Sequence, residues 1–256
     1  MKFIFLFILL FQLDVSLAQV SEIKSKSSQN ASGGGSGGER RSSGSNAFQS
    51  YILIDFLLNG MAEWQQYKLQ KRQSNPYLVS IDILGQVAVQ PSRYYLANPR
   101  IRGNWGLLST DFRVNYLVQE GINGLEDLAT FDWQVLQLNV VTTRNVIGRV
   151  GGGFMSENFG GKGSFFESTY GLFIQSNNKK SGGTIEYRIA RDFSTGAIPR
   201  SEVSVNVEKQ LFTRGTWHAY ATVGGVYQRY YESISVWGIQ AGLAFRVFSE
   251  PLQGQQ

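Results

Sequence analysis

Apolar and polar residues alternate one by one along most of the chain after residue 76. The segment from Trp105 to Gln119 shows the pattern best. One face carries Leu108, Thr110, Phe112, Val114, Tyr116 and Val118, and the other carries Ser109, Asp111, Arg113, Asn115 and Gln119. Successive side chains of an extended strand point to opposite faces, whereas a helix repeats about every 3.6 residues. The pattern therefore predicts a β-strand with one apolar and one polar face.

The same alternation recurs in eight further windows. These are residues 77–90, 128–142, 145–157, 165–176, 184–193, 201–212, 217–229 and 235–248. The windows run about ten to fifteen residues, whereas strands of soluble proteins average about five or six. Strands tilted across a bilayer need about ten residues. We therefore predict an all-β protein, an antiparallel transmembrane β-barrel, with a β-bulge between Val135 and Leu136, where the phase slips.

The composition removes several kinds of chemistry. The chain has no cysteine and one histidine, His218, which excludes Cys-based zinc or iron–sulfur sites and histidine clusters. We expect no metal and no cofactor. A catalytic histidine needs a positioned partner, and His218 begins a predicted strand beside Trp217, so we expect a structural histidine and not an enzyme. The net charge of +5 does not indicate a nucleic-acid partner.

The N-terminal region reads as a signal peptide followed by a linker. Residues 1–18 combine Lys2, an apolar stretch from Phe3 to Phe11 and the small-residue end Ser16–Leu17–Ala18, which predicts secretion and cleavage after Ala18. Residues 19–46 are rich in Ser and Gly, so we predict a flexible tether.

A signal peptide, successive amphipathic strands and a last aromatic strand ending at Phe248 resemble the small outer-membrane β-barrels of Gram-negative bacteria. The resemblance covers about residues 77–248, and it concerns architecture without a family-specific motif. It implies an outer-membrane location and contact with outer-membrane lipids. The tail 249–256 departs from the pattern, because such barrels usually end on the aromatic residue.

The number of strands stays open at eight or ten. Bacterial single-chain barrels have an even number of strands, and the alternation gives nine. Within residues 47–76, Phe48 to Leu58 could supply a tenth strand. The alternative is an amphipathic helix from Ala47 to Arg72, in which case residues 77–90 lie outside an eight-stranded barrel.

The polar face of the strands predicts a charged lumen. The candidates are Asp111, Arg113, Arg149, Glu167, Glu186, Arg188, Glu202, Glu208 and Arg246. Side chains just fill barrels of this size, so we expect these opposite charges to pair and to close the lumen.

The segment from residue 90 to 104 is predicted to be a periplasmic connection. Its candidate contacts with an acidic periplasmic or outer-membrane partner are Arg93, Tyr94, Tyr95, Arg100 and Arg102, and anionic lipid is the alternative. We expect a structural or accessory role in an envelope assembly. The alternatives are a narrow solute channel or a barrel hydrolase.

Overall fold

The computed structural model describes residues 19–33, 79–90, 94–121, 124–143, 145–159 and 163–248. They form one helix and eleven strand segments. These are α1 (Gln19–Gly33), β1 (Val79–Gln90), β2 (Tyr94–Ala97), β3 (Arg100–Trp105), β4 (Leu108–Gly121), β5 (Gly124–Thr142), β6 (Val146–Glu157), β7 (Ser164–Gln175), β8 (Ser181–Arg191), β9 (Arg200–Arg214), β10 (Trp217–Tyr230) and β11 (Ile234–Phe248). The predicted signal peptide, the segment 47–76 and the tail 249–256 lie outside the described residues.

The strands close into an antiparallel barrel. Each long strand pairs with its neighbour in sequence, and β11 returns to pair with β1 from Ser80↔Phe248 to Val89↔Ile239. The short segments β2 and β3 follow one another along the same gap between β1 and β4 and together act as one strand. The barrel therefore has ten strands, and the predicted all-β antiparallel barrel is confirmed.

The tenth strand is not where the sequence placed it. Residues 94–105, predicted to be a periplasmic connection, are β2 and β3, while the alternatives for residues 47–72 lie outside the described residues. Pro99 has no N–H for a ladder bond and interrupts the strand. The ladders nevertheless continue across the break, because Asn98 N donates to Gln86 O at 2.8 Å and Val114 N donates to Pro99 O at 3.0 Å.

The ten-strand topology defines two rims. The Phe248 rim carries the start of β1, the end of β11 and the turns after β3, β5, β7 and β9. The Tyr230 rim carries the turns after β1, β4, β6, β8 and β10. The connection between Gln90 and Tyr94 therefore lies on the Tyr230 rim. The predicted position, on the same side of the barrel as the C-terminal end of β11, is wrong.

A β-bulge interrupts β5 at the predicted place. The register between β5 and β6 shifts between Trp133 and Leu136, which matches the slip of phase at Val135 and confirms the prediction. Gly153 lies opposite the bulge, where an added Cβ would be 2.0 Å from Trp133 O. Only a glycine lets the two backbones approach this closely.

The two faces of the barrel wall are inverted relative to a water-soluble protein. Outward side chains are apolar and exposed, and they include Ile83, Phe112, Phe131, Val150, Tyr170, Ile185, Val205, Val223, Ile239 and Leu243. Inward side chains are polar and buried, and they include Gln86, Asp111, Arg113, Asp132, Gln134, Glu167, Glu186, Arg188, Glu202, Gln228 and Gln240. The lumen, and not an apolar core, therefore occupies most of the interior.

Helix α1 differs from the predicted flexible tether over residues 19–46. Val20 and Ile23 are fully buried and pack against Leu117, Leu128 and Tyr230 at the Tyr230 rim. The polar composition of this segment hides the helix, but two apolar residues three positions apart face the same side of a helix. The barrel mouth supplies the apolar surface that they need, while residues 34–46 lie outside the described residues. Helix α1, the one helix of the described ranges, is not long and apolar enough to cross a membrane.

Candidate functional site

The lumen has three layers along the barrel axis. Helix α1 and its apolar contacts cover the end at the Tyr230 rim. A network of ion pairs fills the middle. An open vestibule lies at the Phe248 rim, where Asp82 and Arg246 line a cavity of about 70 Å³.

Five arginines and five carboxylates form the central network. They are Arg100, Arg102, Arg113, Arg188 and Arg200 with Asp111, Asp132, Glu167, Glu186 and Glu202. They come from β3, β4, β5, β7, β8 and β9, so the network reaches across the lumen. Every one of these side chains is at most 12% exposed. A buried charge is tolerated when it is paired and hydrogen-bonded, and the equal numbers make this possible.

One half of the network is centred on Asp111 and Glu186. Arg102 Nη2 lies 3.1 Å from Asp111 Oδ2 and 2.9 Å from Glu186 Oε2. Arg100 bridges the same two carboxylates, with Nη2 2.7 Å from Glu186 Oε2. Arg188 Nε donates to Glu186 Oε1 at 2.8 Å. Each carboxylate is thus shared by three guanidinium groups.

The other half is centred on Asp132. Arg113 Nη2 and Arg200 Nη2 both lie 2.6 Å from Asp132 Oδ2. Arg200 also reaches Glu167 at 2.8 Å, and Arg113 donates to Glu202. Removing one partner of a buried pair typically costs about 3 to 5 kcal/mol, because the other charge stays behind unpaired. The network therefore holds six strands in a fixed arrangement.

Polar contacts attach α1 to the Tyr230 rim. Val20 N donates to Gln119 Oε1 at 2.8 Å, Ser27 Oγ to Glu157 Oε2 at 2.8 Å, and Asn30 Nδ2 to Asp192 Oδ2 at 3.1 Å.

Asp192 lies in the turn after β8 and is partly buried. Partial burial raises the pKa of its carboxyl, but hydrogen bonds from Ser194, Thr195 and Asn30 outweigh that effect and hold the pKa at about 2. Its carboxylate is therefore ionised at neutral pH and accepts the bond from α1.

In the vestibule, Arg246 lies between two carboxylates. Its Nε is 3.1 Å from Asp82 Oδ1, and its Nη1 is 3.0 Å from Glu208 Oε1. The same guanidinium stacks over the rings of Phe173 and Tyr220, with its central carbon 5.2 and 4.9 Å from the ring centres. This arrangement fixes Arg246 against the barrel wall and leaves the axis of the vestibule open.

The nine lumen residues named from the sequence all face the lumen, and the sequence analysis missed five more. Asp82, Arg100, Arg102, Asp132 and Arg200 also take part in lumen ion pairs. Arg100 and Arg102 were assigned to a connection, and Arg200 was placed in a loop although it is the first residue of β9. Asp132 lies just before the bulge of β5, where the change of phase hides its orientation.

The predicted partner surface is wrong for Arg100 and Arg102, because both are buried in the central network. Tyr94 is 3% exposed and packs beside α1, whereas Tyr95 is 63% exposed on the outer wall. Arg93 lies outside the described residues. The four described candidates therefore share no common exposed surface.

His218 lies at the Phe248 rim. Its Nδ1 is 2.9 Å from Gln210 Nε2, and its ring meets the Phe248 ring edge-on at 5.0 Å. Over the part of the chain that the structure describes, no three His, Asp or Glu side chains are grouped so that they could hold a metal ion.

The sequence matches no protein-family model, and no curated protein matches it.

Proposed function

We propose that the protein is an integral outer-membrane β-barrel with a closed lumen and a structural or accessory role in an envelope assembly. The observation that carries the proposal is the inverted wall, with apolar side chains outside and charged side chains inside. In water, so large a continuous apolar surface would drive aggregation or association. In a bilayer, it is the surface that contacts lipid.

Strand length supports a membrane location. The nine long strands have 11 to 19 residues, enough to cross a hydrocarbon core at a tilt. Trp105 and Trp217 are about half exposed on the outer wall at the Phe248 rim, and Tyr95 is exposed near the Tyr230 rim. Aromatic side chains at both ends of a barrel wall are typical of the two membrane–water interfaces.

The interior supports a closed barrel more than a channel. The central network spans the lumen between six of the ten strands, and α1 covers the Tyr230 rim. A steady open pore would require both layers to move. A rigid closed barrel is suited to anchoring or stabilising other envelope components, through contacts with outer-membrane lipids and with a periplasmic or outer-membrane protein.

The first experiment tests the membrane location and the closed lumen. The mature protein refolded in detergent should be β-rich, should shift its gel mobility on boiling and should show no steady conductance in planar bilayers. A folded protein that stays soluble without detergent would overturn the membrane location. Large steady conductance would overturn the closed lumen and favour the channel.

A second experiment tests the accessory role. The protein extracted from native membranes in mild detergent should elute as a larger assembly than the purified refolded protein in the same detergent. Identical elution of the two samples would contradict an accessory role. Ester hydrolysis lost in His218→Ala would instead favour the hydrolase.

A further inference from the structure

Arg149 differs from the other arginines of the lumen. It is 8% exposed, and it lies on β6 in the wall of the vestibule. Every other described lumen arginine has a carboxylate oxygen within 4.0 Å, whereas none of the described carboxylates lies this close to Arg149. Its hydrogen bond within the described residues runs from Nε to Asn139 Oδ1 at 3.2 Å. A buried guanidinium that no carboxylate contacts directly is costly, so its position in the wall calls for an explanation.

The surroundings hold Arg149 in place and keep space beside it. Asn139 Nδ2 donates to Gly106 O at 2.8 Å, which fixes the amide that accepts from Arg149 Nε. With Nε engaged, the terminal nitrogens remain for another partner. Gly171 is the registered partner of Arg149 on β7, and its lack of a side chain leaves the adjacent part of the lumen wall unfilled.

Two further polar atoms of the same vestibule lack a partner. Arg102 Nε is a buried donor and Asn104 Oδ1 is a buried acceptor, and neither makes a hydrogen bond within the described residues. Asn104 Nδ2 donates to Ser80 Oγ at 2.9 Å, which sets the orientation of the amide and leaves its oxygen as the unpaired atom. Buried polar atoms are normally satisfied, so these two atoms beside the Arg149 guanidinium indicate that the cavity holds a further partner.

The charges restrict what this ligand can be. Arg246 is already shared by the two carboxylates Asp82 and Glu208. With the positive charge of Arg149 added, the vestibule as a whole is about neutral. A singly charged anion suits this site better than a doubly charged one, because Asp82 and Glu208 repel additional negative charge. A guanidinium binds a carboxylate through two parallel hydrogen bonds. Asn104 Oδ1 then accepts from a hydroxyl or amide of the same ligand.

We propose that the vestibule binds a small monocarboxylate that carries a hydroxyl or amide donor, with Arg149 as the anchor of the carboxylate. Arg102 Nε supplies a second donor, and Phe173 and Phe248 supply apolar contacts. The cavity volume of about 70 Å³ leaves room for a ligand of a few heavy atoms and no more. The site lies on the Phe248 side of the central network, so it is compatible with a closed barrel.

Calorimetric titration of the refolded full mature chain in detergent at low salt tests the site. The probes are lactate, propionate, which lacks the hydroxyl, and inorganic phosphate. We expect lactate to bind more tightly than propionate, and both more tightly than phosphate. Absence of binding by all three probes, or phosphate binding as tightly as lactate, would overturn the proposal.

Two variants assign the roles of the residues. Arg149→Met should weaken lactate binding at least tenfold, because the thioether cannot donate hydrogen bonds to a carboxylate. Lys180→Met removes the same charge from an exposed position of the same rim and should leave lactate binding unchanged. Asn104→Leu should abolish the preference for lactate over propionate.

If Arg149 has only a structural role, the result differs. In that case a folded Arg149→Met variant would bind lactate like the unmodified protein. That result contradicts the proposal.

Discussion

Arg188 Nη2 lies 2.5 Å from Asp111 Oδ2, although 77 positions separate the two residues and three strands lie between β8 and β4 in the wall. The bond therefore crosses the lumen instead of following its wall. Arg188 Nη1 also lies 3.5 Å from Glu167, so this one side chain connects the two halves of the central network.

Removing Arg188 should destabilise the barrel strongly. Arg188→Met leaves Asp111 and Glu186 with fewer partners in a buried site, and we expect a loss of about 3 kcal/mol or more in the free energy of unfolding. Urea unfolding in detergent measures it. Arg191→Met, an exposed position at the end of the same strand, is the control and should change stability by less than about 0.5 kcal/mol. Equal effects of the two variants would contradict a structural role for the network.

A charge on the outer wall should impair insertion. Val205 lies in the middle of β9 with its side chain 46% exposed, so Val205→Arg places a guanidinium against lipid in the proposed location. We expect a cost of about 2 to 4 kcal/mol near the bilayer centre, measured as the free energy of folding into lipid vesicles. Val205→Leu should fold like the unmodified protein. An arginine tolerated without cost at this position would speak against lipid contact.

The attachment of α1 should depend on its buried apolar side chains. Ile23→Asp places a charge in the fully buried contact with the barrel mouth, so we expect α1 to leave the lumen and become sensitive to protease. Ser28→Asp introduces the same side chain at an exposed position of α1 and should leave the helix protected. Limited proteolysis followed by mass spectrometry compares the two. Equal cleavage would show that burial of Ile23 does not hold α1.

The turn after β8 should respond to acid. The pKa of Asp192 is lowered to about 2 from an ordinary value of about 3.8. A lowered pKa stabilises the folded turn above the unfolded value, and this stabilisation is lost as the pH falls from about 4 through 2. Amide exchange at Ser194, whose N–H donates to Asp192 Oδ1 at 2.9 Å, should become faster over this range. In Asp192→Asn the dependence should disappear, and a persistent dependence would assign it to another group.

The long strands could be predicted because period-two alternation is a local property of the sequence. It located nine strands and even the bulge at Val135, where one extra residue reverses the faces. The break at Pro99 divides the tenth strand into pieces of four and six residues, too short for alternation to identify. The charges of Arg100 and Arg102 are typical of a loop, and their partners across the lumen are distant in the sequence.

Helix α1 and the vestibule could not be predicted for a different reason. Val20 and Ile23 become apolar contacts only because Leu117 and Tyr230, far away in sequence, form the mouth of the barrel. Whether a carboxylate contacts Arg149 depends on distances between strands. The alternation shows which residues face inward, but it does not show which of them meet.

The barrel mouth that binds α1 is built from residues far apart in the sequence. The helix precedes the barrel in sequence, yet its contacts include Tyr230 and Ile234, which flank the last turn. The surface that binds α1, the first element of the described chain, is therefore incomplete until the final hairpin has formed. Complete docking of the helix therefore requires the final hairpin, and strand β11 of the same hairpin closes the wall against β1.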